Sequence, residues 1–264
     1  MQDVSAVVNA DDLGMSSEVN DAIFELMDRR RLTSASLLAN APATLDAVRK
    51  LRKFPQCSFG VHLNIVEYKP LGTDPGLSPL LDGEGKLKPV PSGFRFTMGM
   101  LRAIHEEFNL QIGRLLSIGV PISHLDSHMH LHLRPALFPV IKALQRTFKI
   151  RGVRTKYNLI AAGEPVHWQR TLKTAVYNWA MRHTCHSITA DTGSDLSAFV
   201  SAQWEPRQRF RTVELLAHPG NPYYPGDTEL LLSPWEQELP FRVHFINFYQ
   251  LGEGPSADHA IPSA

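Results

Sequence analysis

Short apolar runs rich in β-branched residues recur along the chain and alternate with longer amphipathic segments. Runs of this length, bounded by polar, Gly or Pro residues, are typical of buried strands. The pattern predicts strands at Val4 to Asn9, Ser34 to Asn40, Ser58 to Leu63, Pro121 to Asp126, Gly152 to Thr155, Val213 to Ala217 and Val243 to Phe248.

Between these strands, apolar residues recur at helical spacing. Ser16 or Ser17 can cap the first helix, whose apolar face consists of Val19, Ile23, Leu26 and Met27. Further helices are predicted from Pro42 through Leu51, Met98 to Ile118, Pro135 to Phe148 and Val166 to Arg182.

Alternating strands and helices predict an α/β fold with parallel strands and outer helices. No repeat or composition break is visible, so residues 1–251 are predicted to form a single domain and residues 252–264 a loose tail. The Gly/Pro-rich connection from Tyr68 to Ser92 is unusually long and is a candidate lid. Its neighbourhood includes Tyr68, Phe94 and Phe96, which either stack on a sugar or cover the core.

Composition narrows the classes of function. With 27 basic and 26 acidic residues, the net charge of +1 argues against a nucleic-acid partner. The two cysteines, Cys57 and Cys185, form no disulfide framework and no metal-binding spacing, which indicates a reducing compartment. The sequence contains no signal-peptide pattern and no apolar segment of the ~20 residues that cross a bilayer. We therefore expect a cytoplasmic protein.

Chemically capable side chains follow several predicted strands, where sites of parallel α/β folds gather. Asp11 and Asp12 come after the first strand, His62 and Asn64 end the third, and His218 opens a Pro-Gly turn. Two adjacent carboxylates leaving a strand point in different directions, so one can bind a metal while the other faces a substrate. Taken singly, each group also fits a structural role as a cap, a turn residue or a hydrogen-bonded core histidine.

The densest cluster lies at the end of the predicted strand Pro121 to Asp126. Alternate residues of an extended segment share a face, so we expect these five to project together: His124, Asp126, His128, His130 and His132. Neutral imidazole is the commonest metal ligand, and a Zn²⁺ site typically takes three protein ligands. The remaining members would orient the ligands or contact substrate, and the pattern alone does not say which histidine binds the ion.

Together these groups predict a metal site with a base and an acid on either side. One Asp and two His would hold a divalent ion, and a second Asp and a further His would move protons. This set of groups is typical of metal-assisted hydrolysis of an amide or ester.

The motifs also resemble a known family. They are Asn9-Ala-Asp-Asp-Leu-Gly14, Gly60-Val-His-Leu-Asn64, His124-Leu-Asp-Ser-His-Met-His-Leu-His132 and His218-Pro-Gly220. In this order they are similar to the YdjC-like carbohydrate deacetylase family, which includes chitooligosaccharide and hopanoid-associated deacetylases. The resemblance runs from about residue 4 to 250, with Leu13 where the family usually carries Phe. It implies an irregular, TIM-barrel-like (β/α) barrel.

The resemblance also implies roles. Asp12, His62 and His128 would bind the metal, Asp11 would be the general base, and His218 the acid or oxyanion stabiliser. Candidates for orienting these groups or contacting substrate are Asn64, Asp126, His130, His132 and Arg154, of which Arg154 either pairs with Asp11 or holds substrate. The expected reaction removes the acetyl group of an N-acetylated sugar, chitooligosaccharide-like or glycolipid-linked, and family members often form homodimers.

Ligand chemistry favours Zn²⁺ at an Asp/His/His site, and Mg²⁺ is the alternative if water completes the shell. Two other functions compete with a deacetylase. An amidohydrolase-type barrel, acting on phosphoesters or cyclic amides, usually has its paired histidines at the end of the first strand, where this chain has Asp11 and Asp12. A non-catalytic sugar- or metal-binding protein would be marked by loss of a catalytic group, and none is lost.

Overall fold

Eight strands and seven α-helices are built from the residues described by the computed structural model, which are 2–157, 168–202, 204 and 210–252. The strands are β1 (Asp3–Leu13), β2 (Ser34–Leu37), β3 (Ser58–Leu63), β4 (Ile122–Ser127), β5 (Gly152–Val153), β6 (Thr192–Asp195), β7 (Thr212–Ala217) and β8 (Arg242–Phe245). The helices are α1 (Ser17–Asp28), α2 (Thr44–Leu51), α3 (Met98–Ser117), α4 (Phe138–Phe148), α5 (Trp168–His183), α6 (Leu196–Val200) and α7 (Asp227–Leu232).

The strands form one parallel sheet in the order β5-β4-β3-β2-β1-β7-β6, and β8 pairs with the first residues of β1. The sheet curves into a partial barrel with helices outside, which confirms the predicted irregular (β/α) barrel. Between the two end strands, the described residues contain a single parallel bridge, from Gly152 of β5 to Ile188 just before β6. All strands run the same way, so their carboxyl ends meet at one rim.

Burial explains why the strand sequences are almost continuously apolar. All six residues of β3 are buried, and β1 is buried from Ala6 to its end. A sheet covered by helices outside and filled by side chains inside has no solvent-facing side, so alternation of polar and apolar residues is lost. Polar residues inside the barrel must therefore be satisfied by one another, and they are concentrated at the site described below.

Most predicted elements are confirmed, with shifts at their ends. The side chain of Ser16 caps α1 by accepting a hydrogen bond from Val19 N. The second helix begins at Thr44 and not at Pro42, which stays outside the helix. Strand β6 was not predicted because Thr192 to Asp195 (Thr-Gly-Ser-Asp) lacks apolar residues, and α6 and α7 are short helices of five and six residues.

The long connection after β3 is fixed to helix α3. The buried Glu107 carboxylate accepts hydrogen bonds from the backbone N–H groups of Leu71 (3.0 Å) and Gly72 (2.8 Å). A 3-10 helix at Pro75–Leu80 then buries Leu77 and Leu80, and Phe94 and Phe96 pack against the core. Of the two alternatives for these rings, stacking on a sugar and covering the core, their positions support covering the core.

No helix among the described residues combines the length and apolar character needed to cross a membrane. Residues 253–264, which make up nearly all of the predicted loose tail, lie outside the described residues, so the boundary at residue 251 stays a prediction.

Candidate active site

A bulge at the end of β1 turns two successive carboxylates into the barrel. The pairing of β1 with β2 slips between Ala10 and Leu13, and Asp12 adopts a left-handed backbone with φ 65°. In a regular strand Asp11 and Asp12 would point to opposite faces, whereas the extra residue of a bulge re-aims one of them. Aspartate is among the few residues that tolerate this conformation, so the local sequence permits the bulge.

Three donor atoms converge beside this bulge. Oδ1 of Asp12 lies 2.8 Å from Nδ1 of His128 and 3.3 Å from Nε2 of His62. One ligand atom from each of these residues lies within 4.8 Å of the other two, as a shared metal ion requires. Despite the short distances, Asp12 Oδ1 is buried and makes no hydrogen bond of acceptable geometry with any described residue. A buried acceptor without a partner, facing two ring nitrogens, fits a cation better than a proton network.

Two residues orient His62 toward Asp12. On the far side of its ring, Nδ1 lies 2.8 Å from Asp126 Oδ1 and 3.1 Å from Ser36 Oγ. A carboxylate at one imidazole nitrogen fixes the tautomer and leaves the other nitrogen available as a ligand. Burial opposes a charge on the ring, but Asp126 and Asp11 outweigh it and raise the pKa of His62 to about 10.

His128 and Asp12 are also held from outside the cluster. Nε2 of His128 lies 3.3 Å from the Glu67 carboxylate. Burial disfavours the charged imidazolium, but Asp12 and Glu67 outweigh it and raise the pKa of His128 to about 9. Asn221 is buried and donates a 3.0 Å hydrogen bond from Nδ2 to Oδ2 of Asp12. One carboxylate oxygen of Asp12 is therefore fixed by Asn221 while the other faces the histidines.

Asp11 belongs to a separate network centred on the fully buried Arg154. Both Asp11 oxygens accept 2.7 Å hydrogen bonds from the guanidinium. The same group lies 2.9 Å from Asp126 Oδ2 and donates a 2.6 Å hydrogen bond to Glu214. Burial alone would raise the pKa of Asp11, but Arg154 and His62 hold it well below its usual range. Burial raises the pKa of Glu214 to about 7 despite Arg154.

His218 approaches Asp11 from the end of β7. Its Nε2 lies 4.0 Å from Asp11 Oδ2, and its Nδ1 lies 3.6 Å from Asp227 Oδ2. The ring of Tyr224 stacks on the imidazole with centroids 3.9 Å apart. Burial disfavours the imidazolium, but the carboxylates of Asp227 and Asp11 outweigh it and raise the pKa of His218.

Glycine allows the turn that aims His218. Gly220 has φ 74°, and a Cβ there would lie 2.9 Å from Ala22 Cβ and 3.0 Å from the carbonyl oxygen of Glu18 in α1. The close approach to α1 and the left-handed backbone both require a residue without a side chain. The Pro-Gly turn thus sets the direction of the preceding histidine.

Comparison with known proteins places this arrangement in a family. A family model described as YdjC-like protein matches residues 5–241. The chain belongs to the YdjC-like family.

Individual relatives agree with this assignment. A Geobacillus stearothermophilus protein named carbohydrate deacetylase is 36% identical over 152 residues, which cover 56% of this chain and 60% of that protein. A Halalkalibacterium halodurans protein of the same name is 32% identical, with 60% and 70% covered. One from Vibrio cholerae strain O395 is 25% identical, with 82% and 78% covered. The matched region thus spans less than two thirds of the Geobacillus protein.

A solved structure supports the fold. A protein of Enterococcus faecalis V583, named for cellobiose-phosphate cleavage, superimposes with a TM-score of 0.72 at 20% identity. The superposition covers 95% of this chain and 99% of that one. At this identity the likeness shows that the YdjC-like chain shares the fold of that protein.

The expectation that the histidine run lies on one extended face is wrong. β4 ends at Ser127, and a 3-10 segment, His128–Leu133, follows with left-handed backbone at Met129 and His130. Period-2 alternation therefore stops after Asp126, and of the predicted group only Asp126 and His128 join the two clusters around Asp11 and Asp12. Most of the YdjC-like histidine run has other surroundings.

The other histidines of the run have separate positions. His124 stacks on Phe248 with centroids 3.7 Å apart and covers Gly60, where a Cβ would lie 2.4 Å from the ring. His132 is buried beside Ser127 Oγ (2.7 Å). Burial lowers the pKa of both imidazoles to about 3, so they are neutral. His130 packs edge-on against Tyr157, with centroids 5.3 Å apart, and its buried Nδ1 has no hydrogen-bond partner among the residues that the structure describes.

Asn64 organises a turn and does not reach the donor atoms. Its Oδ1 accepts hydrogen bonds from Val66 N (2.9 Å) and Glu67 N (3.2 Å), and its own backbone is held by Gln111. The turn delivers Glu67 to His128. Asn64 therefore acts on the site through Glu67.

Sequence reasoning did not find Glu67, Glu214 or Asn221. Glu214 is a single carboxylate inside an apolar strand, Thr212–Ala217, and this is a usable signal because a lone charge in a buried strand needs a partner. Asn221 follows the His-Pro-Gly turn by one residue, which is a weaker signal. Glu67 lies in an irregular connection, where spacing carries no information.

Proposed function

We propose that this protein is a metal-dependent hydrolase that removes the acetyl group from an N-acetylated sugar. The observation that carries the proposal is the convergence of Asp12, His62 and His128 on one point, with Asp11 and His218 beside it. The names of the relatives, carbohydrate deacetylase, supply the substrate class and the bond cleaved.

The fit of the donor set supports a divalent cation at Asp12, His62 and His128. Bound there, the ion would act as a Lewis acid toward the acetyl carbonyl and make a water molecule more acidic. Two imidazoles and one carboxylate favour Zn²⁺, and Mg²⁺ is the alternative. Asp126 would orient His62, and Glu67 would orient His128, each through the ring nitrogen that does not face Asp12. Asn221 would orient Asp12 by its hydrogen bond to Oδ2.

Asp11 is proposed to orient and deprotonate the attacking water. Arg154 holds the carboxylate as an anion, with Oδ2 3.9 Å from His62 Nε2 and 4.0 Å from His218 Nε2. An anion with so low a pKa is a weak base, so it takes the proton only as the water oxygen bonds to the acetyl carbon and becomes acidic. The paired guanidinium thus sets both the direction and the basicity of Asp11.

His218 is proposed to protonate the leaving nitrogen. Asp227 and Asp11 favour the imidazolium, which is the form that can donate. As the carbon–nitrogen bond breaks, the proton passes from His218 to the amine, and the products are acetate and a free amino sugar. Asp11 then returns its proton to solvent and His218 takes one up from solvent, so both groups end in the form in which they began.

Two alternatives lead to different results. A metal hydrolase of another specificity would bind the ion and cleave a phosphoester or a cyclic amide. A binding protein would hold metal or sugar without turnover. The paired histidines at the first strand of an amidohydrolase-type site are absent from β1, which carries Asp11 and Asp12.

The decisive test measures acetate released from di-N-acetylchitobiose by metal-stripped protein, before and after addition of Zn²⁺ or Mg²⁺. We expect release only with metal, and none from His128→Ala. His105→Ala is the matched control, because His105 lies on α3, outside the donor cluster, and its ring nitrogen pairs with the neighbouring Glu106. Metal binding without acetate release from this or any other N-acetylated sugar would refute the deacetylase proposal.

A cytoplasmic location and a homodimer remain predictions. Fractionation of the producing cell and the mass of the purified protein in solution would test them.

A further inference from the structure

A second group of polar side chains faces the rim opposite the donor cluster and is not used in the proposed reaction. Its members are Asp195 at the end of β6, Tyr157 after β5 and His130 after β4. β5 and β6 are the two end strands, which border the gap in the barrel, whereas Asp12 and His62 come from β1 and β3.

Strand register places Asp195 inside the barrel. Gly193 pairs with Glu214, whose carboxylate binds Arg154 in the interior, and Asp195 lies two residues further along β6. Alternate strand residues share a face, so Asp195 also points inward, one step nearer the rim. Its carboxylate is half-buried and makes no hydrogen bond with any residue among 2–157, 168–202, 204 and 210–252.

Tyr157 lies over the same face. A Cβ on Gly193 would lie 3.2 Å from the Tyr157 ring, so the ring packs on the backbone of β6 beneath Asp195. The phenol oxygen is buried without a hydrogen-bond partner among the described residues, and so is Nδ1 of His130, whose ring packs against Tyr157. Buried polar atoms in native proteins nearly always have partners, and such an exception beside a site points to a ligand that brings them.

The group is also within electrostatic reach of the reacting residues. The charges of Asp11 and His218 act on Asp195, and those of Asp11, Asp195 and Arg154 act on Tyr157. Burial raises the pKa of Tyr157 well above its usual value, so the phenol keeps its proton and can donate. A neutral donor packed on β6 and a carboxylate acceptor at the end of that strand match a hydroxyl group, which accepts one hydrogen bond and donates another.

We propose that Asp195 and Tyr157, with His130 beside them, form a hydroxyl-binding subsite that holds the sugar ring next to the scissile acetamide. The inference rests on the proposed function and deepens it, because the subsite distinguishes a polyhydroxylated amine from a plain acetamide. Tyr157 donates to the hydroxyl oxygen, and Asp195 accepts its proton in a hydrogen bond.

The test compares two acetyl donors with the metal-loaded protein, di-N-acetylchitobiose and 4-nitroacetanilide, which has no hydroxyl groups. We expect Tyr157→Phe to lower the ratio of kcat/KM values, sugar over anilide, by about 3- to 10-fold, and Asp195→Ala by about 10- to 100-fold, mainly through KM. Tyr249→Phe is the matched control, because its hydroxyl binds Pro121 O before the start of β4, away from the rim. An unchanged ratio in both variants would overturn the subsite.

A binding measurement separates failure of the subsite from failure of the proposed function. Calorimetric titration of the metal-loaded protein with di-N-acetylchitobiose requires no turnover. If the wild type releases no acetate but binds the sugar, and Tyr157→Phe weakens that binding about 3- to 10-fold, the deacetylase proposal fails and the subsite stands. If the wild type does not bind the sugar, or both variants bind it equally well, the subsite is overturned.

Discussion

Two buried charged clusters lie side by side in this barrel and differ in how their charges are balanced. Around Arg154, three carboxylates from Asp11, Asp126 and Glu214 surround one guanidinium at 2.6–2.9 Å. Around Asp12, two imidazoles face a carboxylate oxygen that accepts no hydrogen bond within the described part of the chain. The first cluster carries its own permanent cation, whereas the second needs protons on its histidines or a metal ion. The comparison teaches that the Arg154 cluster pairs its carboxylates with a cation of its own, whereas the Asp12 cluster leaves a carboxylate oxygen available to an external cation.

Asp11 is where the clusters meet, and its substitution gives the largest expected effect. Asp11→Asn should lower kcat by about 10²–10⁴-fold because the amide cannot take a proton from water. Metal affinity should stay near the wild-type value, since Asp11 is outside the Asp12, His62 and His128 set. Steady-state rates and metal titration measure the two. Near-normal turnover would remove Asp11 from the role of base.

Within the Arg154 cluster, replacement of Arg154 itself should lower the stability of the fold most. Arg154→Met leaves three buried carboxylates without their cation, and breaking such a network costs about 3–5 kcal/mol of unfolding free energy. Urea unfolding of the metal-free protein measures it. Arg29→Met is the control, since Arg29 forms an exposed pair with Glu25 on α1 and should cost less than about 1 kcal/mol. Equal losses in the two variants would mean that the buried network is not what holds the barrel interior.

The cluster of Asp12, His62 and His128 should release protons when it binds metal. His62 and His128 have pKa values raised to about 10 and 9, so both hold protons at neutral pH in the metal-free protein. A metal ion displaces these protons, and its apparent affinity should therefore rise with pH, up to about 100-fold per unit between about pH 6 and 8. Calorimetry in buffers of different ionisation enthalpy counts the protons. Binding without proton release would contradict the charge assignment.

The smallest expected effect is that of Asn221, which donates a hydrogen bond to the Asp12 oxygen that does not face the histidines. Asn221→Ala should weaken metal binding about 10- to 100-fold, because Asp12 loses the hydrogen bond that fixes its orientation. Saturating metal should restore most of kcat, which a misfolded turn could not do. A low kcat that excess metal does not restore would show that Asn221 acts on His218 through their shared turn instead.

The sequence predicted the positions of seven strands because burial on both faces leaves a clear apolar signature, although several ends are shifted, and β1 continues to Leu13 beyond the predicted Asn9. Asp11, Asp12 and His62 lie in the last residues of β1 and β3, whereas His128 and His218 directly follow β4 and β7. The prediction for Arg154 left pairing with Asp11 and contact with substrate open, and the structure has the pairing. The sequence does not indicate that Arg154 also contacts two other carboxylates, because these contacts are long-range. Glu214, for example, is 60 residues away along the chain.

Local backbone geometry set the limit of prediction. The bulge that turns Asp12 inward and the left-handed residues Met129 and His130 are non-glycine positions, so composition does not mark them. An alternating pattern also cannot signal that a strand has ended while its letters continue to alternate. For this reason the sequence alone predicts that all these histidines project from one face of a strand. Only the contacts of each ring distinguish His128 from His124, His130 and His132.

The two hydrogen bonds from Leu71 and Gly72 to Glu107 fix the near part of the long connection after β3 to a single helix. The chain from Asn64 to Gly72 is held by α3 at both ends, at Gln111 and at Glu107, and carries Glu67 to His128. The farther part returns to this stretch, because Leu87 N donates a 2.7 Å hydrogen bond to the carbonyl oxygen of Tyr68, next to Glu67. The surroundings of His128 therefore extend, through one connection, to a helix that carries none of the proposed ligands.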